Sequence, residues 1–366
     1  MRTRLWMGVV LWTGLVTPML AGCPSRQRGA NAPETPGSGN ETPFVAKGPK
    51  GTGGEGSGSL AEIRRLIGAG RCSEALRRLD AMKTPRADKF YYQGVCLMKQ
   101  GKTAEAQKAF DEALEHKPDF PEKYVNAAGL LLQQGKAAKA MGLLEEAVKR
   151  FPREASLWFN LGLARLSTGR VRGGAEAFER AASASPARSK YQVASGIAWL
   201  RLRQFARARV RFRKAVQLSP ASADAAEGLA RSLAGLGKKM EAVTWARKAL
   251  SLDPHGLGRR HLLAGLLLDA GKAREAAAIL EDLTHRLPNK AVVFLRWGQA
   301  LEKAGEKAKA LAALEEAGEL ALRNPTKPRV MTEIADELAR RGKHRFAKRL
   351  RSKMVIPRPV RPRTAP

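Results

Sequence analysis

Aromatic residues and cysteines are scarce in this chain of 366 residues, and each shortage excludes a class of structure or site. Phe, Trp and Tyr make up 6% of the sequence, which disfavours one large aromatic core and favours close helix packing through alanine. Three cysteines cannot form two CxxC pairs, and none of the five histidines lies in an HExxH pattern, so we predict no metal site. No glycine-rich phosphate loop and no nucleophile beside a base is recognisable, so we expect no cofactor and no enzymatic activity.

The N-terminus has the order of a secretory signal: Arg2 and Arg4, then an apolar run from Leu5 to Met19, then small residues. The segment Leu20-Ala21-Gly22-Cys23 resembles the lipobox of bacterial lipoproteins. The resemblance implies that residues 1–22 are removed and that Cys23 carries the lipid that anchors the protein in a membrane. An uncleaved anchor is the alternative, but the apolar run is shorter than a spanning helix, which needs about 20 residues. Because Pro24 rather than aspartate follows Cys23, the same resemblance implies the outer membrane of the cell envelope, with the chain facing the periplasm.

Residues 23–59 are predicted to be a lipidated, disordered tether between this anchor and the rest of the chain. Residues 24–59 contain nine glycines and five prolines, which leave almost nothing to bury. A flexible chain of this length spans about 30–36 Å between its ends. The tether therefore allows the folded part to stand away from the membrane.

Acidic residues are also few: 34 Asp and Glu face 66 Lys and Arg, which gives a net charge of +32. More than half of the excess lies in residues 189–222, with eight basic residues and no acidic one, and in residues 325–366, with a net charge of +10. Such surfaces attract polyanions, and because an exported protein does not meet nucleic acid, we expect anionic lipid or acidic glycan. Ordinary solvation of helix faces is the alternative for residues 189–222. The predicted basic patch there consists of Arg201, Arg207, Arg209, Arg211, Arg213 and Lys214.

A repeat of 34 residues runs through the chain and is marked by prolines at positions 118, 152, 186, 220, 254 and 288. Phe110, Phe178 and Phe212 lie eight residues before three of these prolines, and small residues lie four residues earlier still. A glycine recurs between the two halves of the units, except at Arg203. This pattern resembles the tetratricopeptide repeat. Seven clear units start at 87 and end at 324, weaker units extend the array over 56–354, and residues 355–366 form a basic tail rich in proline and arginine.

The resemblance implies an all-α fold, a right-handed α-solenoid of antiparallel helix pairs. It also settles the segment FARARVRFRKAVQLSP, whose alternating arginines would otherwise indicate a β-strand. In the repeat register Ala208, Phe212 and Ala215 form one helical stripe, so we predict that the segment is the second helix of its unit.

In this family the first helices of the units line a concave face, and the resemblance implies that apolar residues there form a groove for proteins or peptides. Large exposed apolar patches mark interaction sites, although mutual packing of these side chains is the alternative. We predict a scaffold for cell-envelope assembly, with a pilotin-like factor for a type IV pilus secretin or an adaptor for peptidoglycan hydrolases as alternatives. The predicted groove residues are Tyr91, Val95, Met98, Val125, Leu132, Phe159, Leu163, Leu166, Val193, Ile197 and Leu200.

Cys72 and Cys96 are expected to lie on neighbouring helices of the first two units. An oxidising compartment permits a disulfide between them. The alternative is a pair of small buried thiols, because a disulfide also requires Cα atoms within about 7 Å of each other.

The lipobox generates a direct test. We expect the substitution Cys23→Ser to abolish incorporation of labelled palmitate and to leave the protein unprocessed or mislocalised, because the acceptor thiol is lost. Labelling of the membrane fraction checks this result. Palmitate label that persists in the variant would contradict the assignment.

Overall fold

The computed structural model describes residues 57–81, 86–116, 121–324 and 327–354. Within these ranges the protein is all-α, as predicted, with eighteen helices joined by short turns. The predicted signal peptide, Cys23, the tether up to residue 56 and the tail 355–366 lie outside the described residues. Ser57, which lies where the predicted tether and the predicted array overlap, begins the first helix.

Consecutive helices pack as pairs, and the first helix of each new pair begins 34 or 35 residues after the previous one from Arg86 to Ala291. The helices up to the middle of the chain are α1 (Ser57–Gly68), α2 (Cys72–Ala81), α3 (Arg86–Lys99), α4 (Thr103–Glu115), α5 (Pro121–Gln133), α6 (Ala137–Arg150), α7 (Ala155–Ser167) and α8 (Val171–Ala184). They are followed by α9 (Ser189–Arg201), α10 (Phe205–Leu218), α11 (Ala223–Gly235), α12 (Lys239–Leu252), α13 (Leu257–Asp269), α14 (Ala273–Arg286), α15 (Ala291–Lys303), α16 (Lys307–Arg323), α17 (Pro328–Arg340) and α18 (His344–Lys353).

The chain divides into two compact units, and the division falls within α8: unit 1 ends at Ala177 and unit 2 begins at Phe178. In unit 1 a core cluster gathers Tyr91, Tyr92 and Phe110 with many smaller residues. In unit 2 a core cluster near the C-terminus is aliphatic, with Leu314 and Ile334 among its fully buried members. Each unit therefore buries apolar side chains of its own.

In successive repeats the first helix of the pair ends in the same type of turn. After α3 the amide of Lys102 donates to the carbonyl of Leu97 over 2.9 Å, and that of Gly101 donates to Met98 over 3.0 Å. This pairing places Gly101 at φ +78°, a left-handed conformation that glycine adopts without steric cost. Arg203 occupies the same position after α9 at φ +58° and is the one described non-glycine residue with a positive φ.

The second helix crosses the first where a small residue leaves room for an aromatic ring. Phe212 on α10 is fully buried, and a Cβ added at Gly196 on α9 would lie 2.8 Å from its ring. A Cβ added at Gly228 on α11 would lie 2.1 Å from the same ring. Because side chains rarely approach so closely, only glycine fits at these two positions in the present packing.

The segment from Phe205 to Leu218 is the helix α10, so the helical prediction is confirmed and the strand interpretation is excluded. Ala208, Phe212 and Ala215 are each 0% exposed and form the buried stripe. The arginines fall at alternate positions in sequence, but in a helix of 3.6 residues per turn they spread around the other faces.

The strained turn at Arg203 can be tested by exchange with glycine. We expect Arg203→Gly to stabilise unit 2 by about 1 kcal/mol, because it removes the steric cost of a left-handed residue that carries a Cβ. The midpoint of urea unfolding would move to higher concentration.

Gly237→Arg is the matched reverse change. Gly237 lies 34 residues later at φ +77°, and a Cβ there would meet nothing within 4 Å, so only the backbone conformation opposes a side chain. We expect this variant to be less stable. Unchanged midpoints for both variants would show that the turn carries no strain.

Candidate functional site

In unit 1 the predicted groove is mostly interior. Five of its residues are buried, with exposed fractions of 3–9%: Tyr91, Val95, Val125, Leu132 and Phe159. The prediction that these side chains are exposed is therefore wrong. The reason is that neighbouring first helices pack side by side, as α5 and α7 do, so side chains at these repeat positions fill the space between helices.

The other groove residues remain half-buried. In unit 1 these are Met98, Leu163 and Leu166. In unit 2 they are Val193, Ile197 and Leu200, which share one face of α9 because they are spaced by four and three residues. The predicted groove residues are thus divided between the two compact units, and the row on α9 is the most regular apolar feature among them.

Polar side chains in unit 1 also connect neighbouring first helices. Lys123 is 2% exposed, and its Nζ lies 2.8 Å from the Oδ1 of Asp88. Asn126 Nδ2 donates to Tyr91 Oη over 2.8 Å, a bond between neighbouring first helices, whereas Asn160 Nδ2 donates to Ser156 O within α7. Burial of a charged lysine requires such pairing, so these groups hold the helices in place.

Burial also governs the titratable groups on this side of unit 1. Burial raises the pKa of Tyr92 to about 12, with a smaller opposing effect of Arg64. Burial likewise raises the pKa of Glu122, and the nearby Glu154 adds to the effect. The inner side of unit 1 is thus a poorly solvated environment in which charged forms are disfavoured.

The inner side of unit 2 carries paired charges. Arg259 contacts the carboxylates of Asp224 and Asp253, and its Nε lies 3.3 Å from Glu227 Oε2. Arg231 also pairs with Glu227, over 2.8 Å. Asp224, Glu227 and Arg231 therefore belong to one ion-pair network with Arg259.

His261, on α13, is the titratable group of this face whose pKa is most relevant near neutral pH. Burial lowers the pKa of His261, and the positive charges of Arg296 and Arg231 lower it further. The imidazole is therefore kept neutral under conditions in which an exposed histidine begins to be protonated.

The basic patch is only partly available to a ligand. Arg211 forms a two-point contact with Glu179, with Arg211 Nε 3.0 Å from Glu179 Oε2, and its Nη1 donates to Gln192 Oε1 over 3.1 Å. Arg207 lies over the ring of Trp199, with 4.6 Å between its guanidinium carbon and the ring centroid. Arg201, Arg213 and Lys214 are exposed, and Arg209 is half-buried.

Glu179 is the centre of this network, and the repeat pattern gave no indication of it. The hydroxyl of Ser195 and the indole N–H of Trp199 donate to its Oε2 over 2.7 Å and 3.0 Å. Burial opposes ionisation of Glu179, but the bonds from Arg211, Trp199 and Ser195 outweigh it, so its pKa lies below the ordinary value. One carboxylate thus connects α8, α9 and α10.

Cys72 and Cys96 are close but are free thiols, so a disulfide is not formed. Both are buried, and Cys96 Sγ lies 3.9 Å from the carbonyl oxygen of Cys72. Burial raises the pKa of the Cys96 thiol, and the adjacent Cys72 adds to the effect. This arrangement matches the alternative of two small buried thiols.

Within the described ranges no cluster of three or more His, Cys, Asp or Glu side chains could hold a metal ion. Among the eighteen helices of these ranges, none has both the length and the apolar character needed to cross a membrane.

The Glu179 network predicts a stability that depends on pH. We expect Glu179→Gln to destabilise unit 2 by about 1–2 kcal/mol at neutral pH, because a partly exposed charge-assisted contact is lost. Since the pKa of Glu179 is lowered by folding, this contribution is complete above the ordinary carboxyl pKa and is lost as the pH falls through the lowered value. Urea unfolding of the wild type and the variant should therefore differ at pH 7 and converge in acid.

Glu176→Gln is the control for this measurement. Glu176 lies three residues earlier on α8, is exposed and makes no ion pair within the described part of the chain. We expect no change in its unfolding midpoint at neutral pH. An equal effect of the two substitutions would mean that general charge, rather than the network, is responsible.

Comparisons with known proteins agree with the helix-pair repeat. Two models described as tetratricopeptide repeat match residues 97–166 and 193–256. No curated protein matches the chain in sequence.

Solved structures of low sequence identity resemble parts of the chain. A tetratricopeptide repeat protein from Parabacteroides merdae is 17% identical, with 68% of this chain and 97% of that chain covered and a TM-score of 0.49. YrrB, described as a tetratricopeptide repeat protein with an unusual peptide-binding site, is 16% identical over 57% of this chain and 97% of its own, with a TM-score of 0.44. TTC0263 from Thermus thermophilus is 22% identical over 50% of this chain and 99% of its own, with a TM-score of 0.37.

The matches to the two family models fall on helix pairs that repeat with the same period in sequence and structure. The chain therefore contains tetratricopeptide repeats, which the two models match over residues 97–166 and 193–256.

Proposed function

We propose that this protein is a lipid-anchored, non-enzymatic scaffold of the bacterial cell envelope that holds partner proteins on its repeats. Tetratricopeptide repeats are protein-interaction modules, which supports the scaffold part of the proposal. The lipobox at Cys23 supports the anchor and a position facing the periplasm from the outer membrane.

The observation that carries the scaffold proposal is the apolar row on α9. Val193, Ile197 and Leu200 remain half-buried. At the repeat position of Val193 the earlier residues Tyr91, Val125 and Phe159 are buried, whereas Leu163 and Leu166, the counterparts of Ile197 and Leu200 on α7, are half-buried as well. A row of apolar side chains on one helix face that is not covered by its own fold is a site where a partner gains by burying surface. The apolar row on α9 is the part of the predicted groove that remains partly exposed in unit 2.

The chemistry of the row indicates the kind of partner. An amphipathic helix or an extended segment can place apolar side chains against it, as in other helical grooves. The exposed Arg201 follows the row directly on α9, so an acidic residue of the partner would find an opposite charge there. The partner segment is therefore apolar with acidic residues at one end.

Two finer assignments differ only in the identity of that partner. A secretin subunit of a type IV pilus would make the protein a pilotin-like assembly factor, and a peptidoglycan hydrolase would make it an adaptor. Identification of the bound protein separates them.

The test uses the lipidated protein purified from membranes after mild cross-linking, with its partners identified by mass spectrometry. We expect Val193→Asp combined with Ile197→Asp to remove the specific partners, because charges would then lie on the contact surface. Ala206→Asp combined with Gln217→Asp is the control: both residues are exposed on α10, outside the row, and recovery should be unchanged.

Circular dichroism and urea unfolding decide how the result is interpreted. If the double variant unfolds, the more conservative Val193→Thr with Ile197→Thr keeps both side chains β-branched and uncharged and removes part of the apolar surface. Full recovery of every partner by a folded variant would contradict the proposal that this row binds them.

A further inference from the structure

The outer face of α10 carries an exposed apolar residue among basic side chains. The buried stripe of Ala208, Phe212 and Ala215 points into unit 2, and at about 100° per residue Val210 lies on the opposite side. Val210 is 59% exposed, the largest value among the exposed large apolar residues of the described ranges. Arg209 and Arg213 flank it on one side, and Lys214 flanks it on the other.

These flanking cations have no acidic partner in the part of the chain that the structure describes. Of the basic residues on α10, Arg211 is neutralised by Glu179 and Arg207 is stacked on Trp199. Among the described residues no salt bridge involves Arg209, Arg213 or Lys214, and residues 189–222 contain no acidic residue in sequence. The outer face therefore carries three uncompensated positive charges around one exposed valine.

Some exposed cations of unit 2 are paired with carboxylates. Arg247 on α12 pairs with Glu275 on α14, and Lys343 pairs with Glu315 over 2.7 Å. Lys309 likewise pairs with Glu306 over 2.9 Å. Other exposed cations of this unit form no salt bridge within the described ranges, among them Lys248 on α12 and Lys348 on α18. What sets α10 apart is that its unmatched cations surround Val210, the most exposed large apolar residue of those ranges.

We propose that Arg209, Val210, Arg213 and Lys214 form a docking face that rests on the surface of an anionic lipid bilayer. A bilayer offers both phosphate groups for the cations and an apolar layer for Val210, whereas a soluble acidic glycan offers only the charges. Each Lys or Arg near such a surface strengthens binding by about fivefold, so three give about a hundredfold at low salt. The proposal deepens the proposed function, because a lipid anchor would keep α10 within reach of a membrane.

The docking face would act together with the anchor. The anchor fixes the protein to the membrane, and the face on α10 fixes the orientation of unit 2 relative to the bilayer. Because charge attraction is screened within about 8–10 Å at physiological salt, the face acts only when α10 lies close to the lipid.

The test places a fluorescent probe beside the face without changing its four residues. Gln217 is exposed on the same side of α10 as Val210, so Gln217→Cys can be labelled with an environment-sensitive dye in the full processed chain. Cys72 and Cys96 are buried and will not compete for the dye in the folded protein. Ser251→Cys is the matched probe, because Ser251 is exposed at the same repeat position of α12.

The probe is read on phosphatidylcholine vesicles with and without phosphatidylglycerol. We expect the dye at residue 217 to shift to shorter wavelength and to be quenched by headgroup-labelled lipid only when phosphatidylglycerol is present. The change should disappear at high salt, and the dye at residue 251 should respond weakly. Equal responses of the two probes, a response on both kinds of vesicle, or no response at residue 217 would each overturn the proposal.

Two sets of variants identify the residues. Arg209→Gln, Arg213→Gln and Lys214→Gln together should abolish the response, and Val210→Ser alone should weaken it. The control removes the same charge from exposed lysines of unit 1, Lys108→Gln, Lys139→Gln and Lys149→Gln, and should leave the response intact. Loss of the response in the control instead would show that only net charge matters.

Two further arms separate the proposal from its alternatives. A response of the dye to a soluble acidic polysaccharide, without a response to vesicles, would assign the face to a glycan and overturn the bilayer. Flotation on pure phosphatidylcholine vesicles reports the anchor alone. An anchored protein with no response at residue 217 leaves the scaffold in place and overturns the docking face, whereas a response without anchoring supports the face and contradicts the anchor.

Discussion

The helices of unit 2 can pack closely because glycines, which have no side chain, lie at the points where the helices cross. The ring of Phe212 occupies positions that a Cβ on Gly196 or Gly228 would contest at 2.8 Å and 2.1 Å. Because interiors are packed as densely as crystals, such a site admits almost no change in volume. The two glycines and the ring thus fix the distances among α9, α10 and α11, and the positions of the residues on their outer faces follow from them.

Only a few positions in each repeat carry this constraint, so the remaining positions are free to differ. On α10 the inner stripe of Ala208, Phe212 and Ala215 meets the packing requirement, while the outer positions have collected arginine and lysine without loss of the helix. One of these arginines, Arg211, is paired with Glu179, which also accepts hydrogen bonds from Ser195 and Trp199. The network links consecutive helices in addition to their apolar contacts, and it separates a structural arginine from those that face solvent.

The helices could be read from the sequence because their boundaries are local. Prolines and left-handed glycines recur every 34 residues, and this period outweighs the misleading alternation of arginine in α10. The exposure of the groove could not be read in the same way, since the burial of Tyr91 and Phe159 depends on how closely neighbouring helices approach. The role of Glu179 was also hidden, because its partner Arg211 lies 32 residues later in a different repeat. For the cysteines, sequence placed Cys72 and Cys96 near each other but could not decide whether they are bonded.

The burial of the two free thiols of unit 1 determines how fast they would be oxidised in an oxidising environment. A thiol reacts through its thiolate, and burial keeps Cys96 protonated and out of contact with oxidants. Oxidation of either sulfur must therefore wait until α2 and α3 separate, so its rate is limited by local opening rather than by the supply of oxidant. The redox state of this pair would act as a record of how often the N-terminal helices have come apart.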